Sequence, residues 1–177
     1  MVCNGLLMAQ TTSQTQGPTP DIRIEISKQG ANLQLEQTCF VTYPNNRFHL
    51  ESRKQPLNAG KPTVKLYEGS LEEDSLQRLV ALVNTPQFRE LKPLSMDQTE
   101  DTSGGLDALL IEVFRSDGQQ HLTYLTAAQR SQYEKTLEPI ETWFSDFIQS
   151  LEKSKVAPLE SGSATRCAFG PGKAPQR

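Results

Sequence analysis

The side chains most able to do chemistry in this chain lie on one short stretch. Arg47, His49, Glu51 and Arg53 alternate with Phe48, Leu50 and Ser52, so a strand through them turns all four onto one face. An imidazole between an arginine and a carboxylate is the arrangement of a general base oriented by its neighbour. The same four residues also make an ordinary solvated strand face, with alternating charges in weak pairs. That plainer reading is preferred, and any role for the four is then in binding. Ser103, His121 and Asp107 have the residue types of a nucleophile, a base and an orienting carboxylate. Around Ser103, however, neither the G-x-S-x-G elbow nor its strand–turn–helix setting is present. Ser103-Gly104-Gly105 precedes a strand pattern, so it is loop chemistry and not a phosphate cradle at a helix start. Asp97, Glu100 and Asp101 lack the ligand spacing of a calcium loop. No catalytic residue, metal ion or cofactor is expected.

The cysteines add little at this level. There is no C-x-x-C pair, and two isolated histidines do not make a zinc site without further partners. In an exported chain Cys39 and Cys167 could pair. The preferred reading is a small buried apolar side chain at Cys39 and an incidental thiol at Cys167.

These residues must be positioned by a single domain. The chain has 177 residues, and both ends read as unpacked. Residues 1–20 carry no charge: Gly5-Leu6-Leu7-Met8-Ala9 reads as the end of an apolar segment and runs into a Gln/Thr/Pro tract. That pattern is expected around a signal-peptide cleavage point, although no Lys or Arg precedes Arg23 and the apolar run is short. Residues 154–177 are rich in Ser, Gly, Ala and Pro and read as a disordered tail. The folded part is then 21–153. Net charge is −3, with both signs interspersed, so no basic stripe is available for nucleic acid. No apolar run approaches the roughly 20 residues of a membrane span.

Periodicity supplies the elements. Asp21–Ile26 alternates with three isoleucines on one side; Leu33–Val41, Arg47–Arg53 and Thr63–Glu68 follow as strands, with Pro44-Asn45-Asn46 as a turn. Ser70-Leu71-Glu72-Glu73 has the form of a capping box, opening a helix whose stripe is Leu76, Leu79, Val80 and Val83. Asn84-Thr85-Pro86 ends that helix, and Phe88 and Leu91 anchor one more turn. Leu106–Phe114 is the most apolar segment and predicts a central strand covered on both faces. Asp117-Gly118 turns it back into His121–Leu125. Thr126-Ala127-Ala128-Gln129 is a second capping box, and the closing helix carries Tyr133, Leu137, Ile140, Phe144, Phe147 and Leu151 in one seam. Pro139 requires that helix to bend or to restart. The order β-β-β-β-α-β-β-α predicts an α+β fold, an antiparallel sheet of about six strands with helices on one face.

Strands, a helix patterned Leu71-Glu72-Glu73, Leu76, Leu79, then Phe88 and Leu91, a hairpin and a closing helix: this layout resembles the small emfourin-type inhibitors of thermolysin-like metalloproteases. It departs from them in the extra strands between residues 33 and 68 and in lacking Gly-rich signals near residue 30. The resemblance implies a protein partner of the protease kind and carries no inhibitory residue across. The expected function is an exported, periplasmic or secreted, non-enzymatic binding or accessory domain of a bacterial type. The rival is a small hydrolase using His49 or His121. Exposed sheet edges leave self-association open.

Overall fold

Isoleucines at period two set the centre of the molecule. The structure, a computed structural model, describes residues 19–30, 34–56, 60–94, 106–154 and Cys167. Asp21–Gly30 forms β1, with Ile22 and Ile24 fully buried. A meander follows: β2 (Gln34–Tyr43), β3 (Arg47–Pro56) and β4 (Thr63–Ser70). Helices α1 (Glu73–Val83) and α2 (Pro86–Arg89) lead to the hairpin β5 (Asp107–Arg115) and β6 (Gly118–Tyr124). The last elements are α3 (Ala127–Ser131) and α4 (Glu134–Lys153). The fold is α+β, as expected. Among the described residues, six strands form one antiparallel sheet in the order β4-β3-β2-β1-β5-β6.

Strand β1 sits inside the sheet because two different partners complete its ladder. Ile24 lies opposite Phe40 of β2 on one side and Ile111 of β5 on the other. The register puts Ile22, Ile24, Phe40, Phe48, Leu50, Leu109, Ile111, Val113 and Leu122 on one face, which packs against Leu76, Leu79, Phe88, Leu137, Ile140, Trp143 and Phe144 of the helices. Phe40 is the hub, with ring centroids 5.5 Å from Trp143, 6.0 Å from Phe144 and 5.1 Å from Phe147. The indole of Trp143 donates to the Ser75 carbonyl at 3.0 Å and so ties α4 to α1. At the β2–β3 turn, Asn45 and Asn46 take φ of 64° and 60°. Asparagine tolerates this left-handed region better than other side chains.

Several local expectations are corrected. Ser70 does not cap α1: it remains in β4, opposite Arg47, and α1 begins at Glu73 without a side-chain cap. Pairing with β3 takes precedence over the local capping signal. Thr126 does cap α3, accepting from the Gln129 amide at 3.3 Å, while the Gln129 side chain reaches back to the Leu125 amide at 2.6 Å. The break near Pro139 falls earlier, between α3 and α4, and α4 runs through Pro139. Strand β5 is second from the edge, between β1 and β6, and its second face carries Glu112.

Replacing the aromatic hub leaves a cavity that three α4 side chains line. Phe40→Ala is expected to lower unfolding free energy by about 3–5 kcal/mol in urea titration. A loss below about 1 kcal/mol would contradict this account of the core.

Candidate functional site

The face of the sheet away from the core is where polar residues converge. Alternation carries Arg47, His49, Glu51 and Arg53 to that face, as the sequence predicts, but the expectation that all four are solvated is overturned. His49 and Glu51 are both 0 % exposed. Arg47 is exposed, and Arg53 is half-buried, with its guanidinium donating to Gln55 at 2.8 Å. The burial is possible because His49 meets Glu68 across the ladder and Glu51 along its own strand, and Glu51 also accepts from the amide of Cys167. In register, one row runs Glu68, His49, Val41, Arg23, Glu112, His121 from one edge of the sheet to the other. The adjacent row brings Leu66, Glu51, Cys39 and Glu25 side by side.

His49 bridges two carboxylates: Nε2 is 2.8 Å from Glu51 Oε1, and Nδ1 is 3.0 Å from Glu68 Oε1. Cys167 lies on the same cluster. Its sulfur is bonded to that of Cys39, which pairs with Glu51 across the ladder, and its amide donates to Glu51 Oε1 at 3.1 Å. This overturns the reading of Cys167 as an incidental thiol. Apart from Cys167, the expected tail 154–177 falls outside the described residues beyond Ser154, as does the stretch 1–18. The bridge closes a sequence separation of 128 residues. In the chain-entropy picture that constraint on the unfolded state is worth about 5 kcal/mol.

A second group occupies the β1–β5–β6 side. Arg23 donates to Glu25 at 2.8 Å and to Glu112 at 3.1 Å. The other oxygen of Glu112 lies 3.0 Å from His121 Nδ1, and His121 Nε2 lies 3.0 Å from the Thr123 hydroxyl. The carboxylate facing His121 is therefore Glu112 and not Asp107. Asp107 is engaged by Arg130 at 2.9 Å and lies 3.7 Å from Lys28. Ser103, Asp97, Glu100 and Asp101 lie outside the described residues.

Chemical capacity follows from these contacts. Burial by itself would lower the His49 pKa, but hydrogen bonds and charge from Glu51 and Glu68 outweigh it and hold the imidazole above its usual 6.5. Both ring nitrogens face carboxylates at hydrogen-bond distance, and the buried imidazole is not open to a substrate. Burial, with Tyr133 adding to it, pushes the Tyr124 hydroxyl up to about 12, so it is not an acid at neutral pH. A cleft of about 840 Å³ opens between α1 and the β5–β6 hairpin, lined in part by Arg89, Arg115 and Asp117. Arg89 and Arg115 are committed. Arg115 donates to the Val83 carbonyl and to Asn84 at the end of α1, and Arg89 pairs with Asp117.

Sequence reasoning found His49 and Glu51 but missed Glu68, Arg23, Glu112, Thr123 and the role of Cys167. Alternation places Glu68 and Arg23 on a strand face. Only the register, which the loops set, brings them beside His49 and Glu112. Compared with known proteins, the chain matches no family model, and no curated sequence matches it significantly.

The raised His49 pKa makes part of the stability pH-dependent. The native state holds that proton more tightly than the unfolded chain, whose histidine titrates near 6.5. The contribution is therefore complete below about pH 6.5 and is lost as pH rises through the native value. The stability gap between wild type and His49→Gln in urea titrations should be widest below about pH 6.5 and narrow as pH rises above it. A gap independent of pH would refute the imidazolium assignment.

Proposed function

We propose that this chain is a small non-enzymatic binding or accessory domain that works outside the cytoplasm, in a periplasmic or secreted setting of a bacterial type, on a protein partner. The observation that carries the reading is the Cys39–Cys167 bond. Such bonds persist in oxidising compartments and are rare where glutathione and thioredoxin keep thiols reduced. The uncharged segment of residues 1–20, with its apolar run before a polar tract, agrees with the same setting.

Inhibition of thermolysin-like metalloproteases is the sharper form of this reading. Its support is the resemblance in sequence layout to emfourin-type inhibitors, carried by residues that lie here as Leu76 and Leu79 buried on α1 and Phe88 buried on α2, followed by the β5–β6 hairpin and α4. The outer strands β4 and β6 each present one backbone edge that pairs with no other described strand. An extended segment of a partner can add to such an edge.

One arrangement favours a second reading, a hydrolase using His121. Glu112, His121 and Thr123 are joined carboxylate to imidazole to hydroxyl, which is the order of a nucleophile activated by an oriented base.

One set of measurements separates these readings. Fractionation of the native host should recover the protein in periplasm or culture medium, and exclusive recovery from cytosol would overturn export. Stoichiometric loss of activity in a panel of thermolysin-like proteases is expected on adding the protein; unchanged activity across the panel removes the inhibitor form. Turnover of ester or peptide substrates that disappears in both His121→Ala and Thr123→Ala would replace the binding reading with the hydrolase.

A further inference from the structure

The cluster around the disulfide has a property that neither a structural bridge nor an ion pair requires. His49 and Glu51 alternate on β3 and point to one face, Cys39 stands opposite Glu51 on β2, and Cys167 is bonded to Cys39. The ligand atoms of His49, Glu51 and Cys167 all lie within 4.8 Å of one another. All four residues are essentially inaccessible to solvent, with Cys39 at 0 % and Cys167 at 1 % exposed. Four-coordinate zinc, with bonds of about 2.0–2.3 Å, sets its donor atoms roughly 3.3–3.8 Å apart. For an ion to enter, the present spacing of 2.8 Å between His49 Nε2 and Glu51 Oε1 must widen to that range, and the two sulfurs must separate, which reduction of their bond permits.

The remaining nitrogen of His49 strengthens the match. Nδ1 faces Glu68 Oε1 at 3.0 Å. A zinc-binding histidine typically gives its other N–H to a carboxylate, which fixes the ring and raises its basicity. Glu68 thus stands where a positioning carboxylate belongs, while Nε2 points to the shared centre.

We propose that reduction of the Cys39–Cys167 bond converts this cluster into a closed Zn²⁺ site, with His49, Glu51 and Cys167 as the ligands already gathered, Cys39 joining as the fourth once its sulfur is freed, and Glu68 orienting His49. While the bond is intact its sulfurs are not thiolates and do not serve as ligands. A dithiol reductant gives two electrons and two protons to the sulfur–sulfur bond and leaves as its own disulfide, and two thiols result. On metal entry both thiols release their protons, as does Nε2 of His49, and zinc sheds its waters. Two thiolates and the Glu51 carboxylate then face the dication, with a neutral imidazole as fourth ligand. The sulfur ligands select zinc over magnesium or calcium. The metal also restores the tie between residue 167 and the sheet that reduction removes. The proposal does not rest on export, because it concerns what the reduced chain does wherever a reductant acts.

The test uses the full-length chain, reduced with dithiothreitol and freed of it anaerobically. Titration with Zn²⁺ against a chromophoric chelator should give one ion per chain with submicromolar Kd, while the oxidised chain takes up none. Co²⁺ in place of zinc should show tetrahedral bands with thiolate charge transfer. Cys167→Ser should lose part of that charge transfer, Cys3→Ser should leave it unchanged, and Glu68→Gln should weaken zinc binding by about 10–100-fold. Zinc should also raise the thermal midpoint of the reduced chain. Absence of stoichiometric uptake, an octahedral cobalt spectrum, or binding indifferent to Cys167→Ser would overturn the proposal.

Discussion

A carboxylate withdrawn from water must be matched by charge and hydrogen bonds, and Glu51 is withdrawn entirely. The imidazole of His49 and the amide of Cys167 both converge on its Oε1. That amide comes from a residue 128 positions from Cys39, and the Cys39–Cys167 bond is what keeps it there. Removing one partner of a buried pair leaves the other uncompensated, at a cost of several kcal/mol. The disulfide therefore does more than close a loop. It holds in place the donor that lets a polar cluster remain dry on the second face of the sheet.

The sheet thus has two different faces. One face is apolar and packs its aromatic hub, Phe40, against α4. The other carries two groups of hydrogen-bonded polar side chains, Glu68, His49 and Glu51 on one side of Val41 and Arg23, Glu112 and His121 on the other. Strand β1 belongs to both, contributing Ile22 and Ile24 to the first and Arg23 to the second. Its pairing with β5, Ile24 to Ile111, joins strands that β2, β3, β4, α1 and α2 separate in the chain. At the two ends of the sheet, β4 and β6 each present a backbone edge that pairs with no other described strand.

Much of the fold was legible because periodicity is a local property. The alternation of Ile22, Ile24 and Ile26, the stripe of α1 and the seam of α4 each follow from residues close in sequence. The site was only half legible for the same reason. Alternation says that His49 and Glu51 share a face, but it does not say what lies on that face. Nothing near Cys167 in sequence announces that it reaches β2. Ser70 shows the converse: its capping signal was clear and local, yet opposite Arg47 it belongs to the β4 ladder. The chain's two histidines looked alike as isolated residues. Register separates them, since His49 meets two carboxylates while His121 meets one carboxylate and a hydroxyl.

The most direct test of the account is peptide mapping under non-reducing conditions, with alkylation at the moment of lysis, on protein purified from its native host. The account predicts one cross-linked species joining the peptides that contain Cys39 and Cys167, with Cys3 outside the bridge wherever it is present. Recovery of Cys39 and Cys167 both fully alkylated, or of either bonded to another partner, would contradict it.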